Sequence, residues 1–171
     1  MELTQSNTVK AVAILLVLTA VTQPIYTALF MGAPEVSRKF IWGFEGIVFA
    51  LLAAFAGSAL VTAKRYTLGF SAIAFSAVLN VVQVGVGFTQ FGPFNKAAEA
   101  NDELGAIAFA VVSFSFFVYN AAKLLLGLAA VVFGMAHIKE GRKVLGNLTV
   151  LVGAVALVAN ALAMLLSLIH I

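Results

Sequence analysis

Five long apolar runs separated by short polar stretches organise the chain. They lie near residues 9–31, 41–63, 67–89, 104–138 and 145–169, with separators near 32–39, 64–66, 90–103 and 139–144. About 20 consecutive apolar residues cross a bilayer as a helix. The pattern therefore predicts an all-α integral membrane protein, a five-transmembrane-helix bundle in which residues 1–171 form a single transmembrane domain. The first run begins like a signal peptide, because Lys10 precedes an apolar stretch. It continues past Pro24 to about Met31, however, and Glu2 spoils a basic leader, so it is read as the first membrane helix.

The fourth run is too long for one straight crossing. At about 1.5 Å per residue it would reach roughly 52 Å, against a hydrocarbon core of about 30 Å. Its midpoint, Tyr-Asn-Ala-Ala-Lys at 119–123, holds no Gly or Pro to make a turn, so one long fourth helix is expected. Such a helix tilts, kinks near Asn120, or extends under the loop 90–103. That loop contains Lys-Ala-Ala-Glu-Ala-Asn-Asp-Glu-Leu, a stretch suited to a short capping helix over the outer mouth.

Small and polar residues recur at helical spacing. The second run has Gly46, Ala50, Ala54, Ser58 and Thr62, four apart throughout. The fourth has Ser113, Phe116, Asn120, Lys123, Gly127, Ala130 and Gly134, and the fifth has Gly146, Thr149, Gly153, Ala156, Asn160, Ala163 and Ser167, both at alternating spacings of three and four. Small faces let helices in lipid approach closely, so all three stripes are expected to pack in a tight bundle whose Leu, Val and Phe face lipid.

Composition agrees with a membrane chain: 63% of residues are hydrophobic, only 10% are charged, and the mean hydropathy is +1.09. Soluble domains carry about 25% charged residues. The net charge of +3 reflects basic loops, which membrane topology requires, and calls for no nucleic acid. Lys10, Lys64, Arg65, Lys139, Arg142 and Lys143 fall on one side, against Arg38, Lys39 and Lys96 on the other. The positive-inside rule then puts the N-terminus in the cytoplasm and the C-terminus outside, in the cell (inner) membrane. Tyr26, Phe40 and Trp42 fit an interfacial belt at the outer ends.

Lys123 is the most informative single residue. A lysine within a membrane span is costly and faces a protein interior, finds a partner, or marks a functional pathway; the bland alternative is a side chain that snorkels to an interface. Gln23, Glu45, Asn80, Gln83 and Asn160 fall in the outer half of their spans, Tyr119 and Asn120 lie near the middle of the fourth, and the lysine side chain tilts toward that layer. Glu45 reads as a counter-charge for Lys123, as a proton-binding group, or as an interfacial carboxylate. The three asparagines read individually as interhelical hydrogen-bond glue. Together with Lys123 these residues are the candidate ligand-binding set.

Several chemistries are excluded. The chain has no cysteine, so thiolate catalysis, disulfides and cysteine-ligated metals are absent. His137 and His170 stand at opposite ends of their spans, too far apart to share one haem. There is no phosphate loop, no G-x-S-x-G and no H-E-x-x-H. Retinal attachment to Lys123 is set aside because five spans do not make a seven-helix plan. No metal or cofactor is expected.

The expected function is binding of a small, partly apolar molecule in a polar pocket in the outer half of the bilayer, as a carrier or substrate-binding transport subunit. An accessory or assembly subunit of a larger membrane complex is the alternative, and a membrane enzyme acting on a lipid-soluble substrate ranks third. Expected partners are the lipid bilayer, an apolar or amphiphilic ligand, and either further copies of the chain or a larger membrane complex.

Overall fold

The computed structural model describes residues 4–33 and 36–169, with side chains through Leu166. Glu2, His170 and the side chain of Ser167 lie outside the described residues. The described chain is helical apart from its connections: α1 (Gln5–Gly32), α2 (Lys39–Thr62), α3 (Thr67–Thr89), α4 (Phe91–Ala100), α5 (Gly105–Lys139) and α6 (Lys143–Ile169). Among the described residues, five helical segments are long and apolar enough to cross a membrane. The capping helix is α4, joined to α3 at Gln90 and followed by a 3₁₀ turn at Asp102–Leu104. It begins at Phe91, earlier than the Ala- and Glu-rich stretch implies. Pro93 falls in its first turn, where the missing N–H costs no helical bond.

Local chemistry fixes the helix ends. Thr4 caps α1 by accepting from the Asn7 amide at 3.3 Å. The α5–α6 connection is a Schellman turn, in which Arg142 N donates to His137 O at 2.9 Å and Gly141 N to Ile138 O at 3.1 Å. Gly141 has φ +86°, a left-handed conformation that costs glycine little and sends α6 back along α5. The fourth apolar run is a single helix of 35 residues, continuous through Asn120 and Lys123.

The helices form a row in the order α1, α2, α3, α5, α6, each packed on its neighbours, with α4 lying across the ends of α3 and α5. Short connections make sequence neighbours into spatial neighbours, which is why the row follows the chain. Among the described residues, the backbone of α6 approaches α5 alone and that of α1 approaches α2 alone, so the arrangement is more open than a tight bundle. The core lies along α3, where Phe70, Ile73, Ala77 and Val84 meet Val48, Phe49, Leu52 and Ala56 of α2. Phe133 of α5 wedges in edge-on to Phe70, with ring centroids 5.3 Å apart.

Two of the three small stripes are interfaces. A methyl group placed on Gly153 would lie 2.7 Å from Gly127 O, and one on Gly146 would lie 2.7 Å from Gly134 O. Backbone meets backbone there, so a Cβ has nowhere to go. The stripe on α2 does not pack: Ala50, Ala54, Ser58 and Thr62 are exposed. The reason is angular. Each step of four residues overshoots a full turn by about 40°, so five such positions wind around the helix, whereas alternating threes and fours hold one face. The buried face of α2 is instead Glu45, Val48, Phe49, Leu52, Ala56 and Ala59.

Gly134→Ala and Gly153→Ala are expected to force α5 and α6 apart, at a cost of about 1–3 kcal/mol each. Gly57 and Gly85 have no atom within 4 Å of a placed Cβ. Thermal melting in detergent should therefore show a lowered midpoint for the first pair and none for Gly57→Ala or Gly85→Ala. Equal melting of all four variants would remove the close-approach account.

Candidate functional site

Glu45 enters the buried face of α2 in its second turn and is only 3% exposed. It can lie there because α1 presents polar groups to it. The buried face of α1 is Thr8, Val12, Leu15, Thr19 and Thr22, again at alternating spacings of four and three. Thr22 Oγ1 donates to Glu45 Oε1 at 2.6 Å, and Gln23 Nε2 donates to the same oxygen at 3.0 Å. From α5, Tyr119 Oη donates to Gln23 Oε1 at 3.5 Å, a long bond that bridges two helices without backbone contact.

These groups border a cavity of about 340 Å³ near the end of the row that carries α4. α1 contributes Gln23, Tyr26, Thr27 and Phe30; α2 contributes Trp42 and Glu45; α3 contributes Gln83; α4 contributes Phe91; α5 contributes Ser115, Phe116 and Tyr119. Tyr26 stacks on Trp42 at 6.0 Å and on Phe30 at 6.5 Å, and Trp42 meets Phe91 edge-on at 6.0 Å. The Arg38 guanidinium lies over the Phe30 and Tyr26 rings, 4.9 and 5.5 Å from their centroids. The cavity is therefore lined by aromatic rings together with a carboxyl, two carboxamides and the hydroxyls of Tyr26, Thr27, Ser115 and Tyr119.

The eight candidate residues separate into groups. Gln23, Glu45, Gln83 and Tyr119 meet around the cavity. Lys123 and Asn160 do not line it; they border a groove of about 360 Å³ between α5 and α6, where Tyr119 forms a shared wall. The Lys123 ammonium lies 4.9 Å from the Tyr119 ring centroid. Lys123 and Glu45 make no ion pair within 4.0 Å. Asn80 and Asn120 border neither space. Asn80 Nδ2 donates to Ser76 O at 2.9 Å, Asn120 Nδ2 to Phe116 O at 2.9 Å, and Asn160 Nδ2 to Ala156 O at 2.6 Å. All three asparagines thus bond the carbonyl four residues back rather than a neighbouring helix.

Thr22 and Ser115 belong to the site but were not expected from the sequence. Thr22 was legible in principle, because Thr8, Thr19 and Thr22 share one helical face. Ser115 lies outside the alternating stripe through Ser113 and Phe116, and nothing in the sequence distinguishes it. Ser76 plays the interhelical part expected of the asparagines, donating to Ala122 O of α5 at 2.8 Å.

No family model matches the chain, and no curated protein or solved structure matches it.

Ser76→Ala is expected to destabilise the α3–α5 contact by about 1 kcal/mol. Because Ser76 does not line the cavity, Trp42 emission should stay at its wild-type wavelength. A shifted emission maximum would show that this bond also shapes the cavity.

Proposed function

We propose that the chain is a multi-pass protein of the cell (inner) membrane that binds a small, partly apolar molecule in this cavity, as a carrier or substrate-binding transport subunit. In this reading the N-terminus lies in the cytoplasm, the C-terminus lies outside, and the cavity sits in the outer half of the bilayer. Support for the membrane comes from the outer surface of the row, which exposes Val17, Ile47, Val61, Phe75, Leu151 and Val155. A hydrocarbon solvent suits such a surface and water does not. Support for the orientation comes from the basic residues at the connections α2–α3 and α5–α6.

The observation that carries the binding reading is the convergence of Gln23, Glu45, Gln83 and Tyr119, from four helices, on one cavity lined by aromatic rings. A volume of about 340 Å³ falls within the range of small-molecule pockets, at its lower end. Apolar walls supply the affinity and a few polar groups fix orientation. Lys123 stands behind Tyr119, where its charge holds the ring that closes one wall.

The reading is tested by filling the space. Protein extracted in nanodiscs and released for native mass spectrometry is expected to carry a bound small molecule. Gln83→Phe, which places a ring in the cavity, should lose that mass while keeping its helical signal. Retention of the same mass by the variant, or no bound mass in the wild type, would count against the cavity as the site.

The uncovered small face of α2 and the single neighbour of α6 favour a second reading, in which the chain is an accessory subunit of a larger membrane complex. Purification from native membrane decides it: a stoichiometric partner supports the subunit reading, and a chain that migrates alone opposes it.

A further inference from the structure

The polar groups of the cavity are unequally committed, and among those left uncommitted the one acid is a carboxyl with no basic group beside it in the wall. Glu45 Oε1 already accepts two hydrogen bonds, from Thr22 and Gln23. Glu45 Oε2, the Gln83 carboxamide and the Ser115 hydroxyl have no protein hydrogen bond among the described residues, and none of their atoms is sealed from the accessible space. All three residues border the cavity. A buried carboxylate needs a counter-cation or its own proton, and no basic side chain lines this space. The protein's two nearby cations occupy ring faces without entering it, Arg38 over Phe30 and Tyr26, and Lys123 over Tyr119.

We propose that the cavity selects a small organic cation, an ammonium carrying at least one N–H, seated with its charge at Glu45 and its hydrocarbon against Trp42, Phe91 and Phe116. The assignment rests on the cavity being the binding site, and it goes further by naming the class of molecule. Three properties support it. Among the described residues, Glu45 carries the one carboxyl in the wall and no basic side chain accompanies it. Its free oxygen accepts a charge-assisted hydrogen bond, about twice as strong as a neutral one. Aromatic faces attract cations, most strongly where water is excluded, and Trp42, Phe91 and Phe116 are wall rings with no protein cation over them. A neutral ligand of the same shape would use the walls and leave the carboxyl unanswered. An anionic ligand would meet it with like charge.

Trp42 is the only tryptophan in the chain and borders the cavity, so its fluorescence reports occupancy directly. Protein in nanodiscs is titrated with 2-phenylethylamine, a cation at neutral pH, with propylbenzene as the neutral isostere and with 3-phenylpropionate as the anion. The Gln83→Phe variant supplies the background for partitioning into lipid. The expected result is a saturable change with the amine, about tenfold or more tighter than with propylbenzene, and weakened about tenfold or more by Glu45→Gln. Gln83→Glu, which adds a second carboxyl to the wall, should tighten the amine, and it decides the matter alone if Glu45→Gln does not fold. Equal binding of amine and propylbenzene, indifferent to Gln83→Glu, overturns the cation assignment and leaves the cavity as a neutral site. Tightest binding of 3-phenylpropionate overturns it in favour of the charge of Lys123 or Arg38. No saturable change with any of the three overturns both the assignment and the reading of the cavity as a binding site.

Discussion

A carboxyl placed in an apolar helix pair determines how the first part of this chain assembles. Glu45 is tolerable on the buried face of α2 because Thr22 and Gln23 deliver two donors to one of its oxygens. Both donors are adjacent on α1, so the pair fixes the height of α1 against α2 and its rotation as well. α1 has no other helix to lean on by backbone contact. Its placement, and with it one wall of the cavity, follows from how a single carboxyl is satisfied. The apolar surfaces of α1 and α2 would slide over one another at little cost, whereas two hydrogen bonds in a low-dielectric setting would not.

The same requirement explains which polar residues reach across helices and which do not. An asparagine in a helix is short enough to turn back on its own carbonyl ladder, and Asn80, Asn120 and Asn160 all do so. A glutamine carries one more methylene and extends past that ladder. Gln23 bridges α1 to α2, and Gln83 reaches the cavity wall. Tyr119 is longer still, and it meets Gln23 from α5. Length is not the whole rule, because the short hydroxyls of Ser76 and Thr22 also cross to a neighbouring helix where the two helices approach closely.

Much of the architecture was legible in the sequence. The five apolar runs match the long helices within a few residues, and the long fourth run is one helix because nothing in it can turn the chain. The stripes through Gly127 and Gly153 located the α5–α6 interface, since alternating threes and fours keep a constant direction. Depth along the helices was also legible, which is why Gln23, Glu45, Gln83 and Tyr119 share a cavity. Direction around the row was not. Lys123 and Tyr119 lie one turn apart on α5, yet only Tyr119 borders the cavity, because which side of α5 meets α3 and which meets α6 depends on the order of the row. The period-four stripe of α2 misled for a related reason: a pattern read as one line on paper winds around a helix in space.

The open row has a consequence for traffic. Among the described residues α1 and α5 make no backbone contact, and one hydroxyl and one carboxamide join them at 3.5 Å by the cavity. Thr27, Phe30 and Phe116, which line the cavity from α1 and α5, are themselves exposed at the outer surface of the row. For a molecule dissolved in hydrocarbon, the path that displaces least runs sideways through this seam, with one weak bond to part. Access of that kind favours compounds that first concentrate in the bilayer, so partitioning into lipid would act as a filter before any side chain is touched.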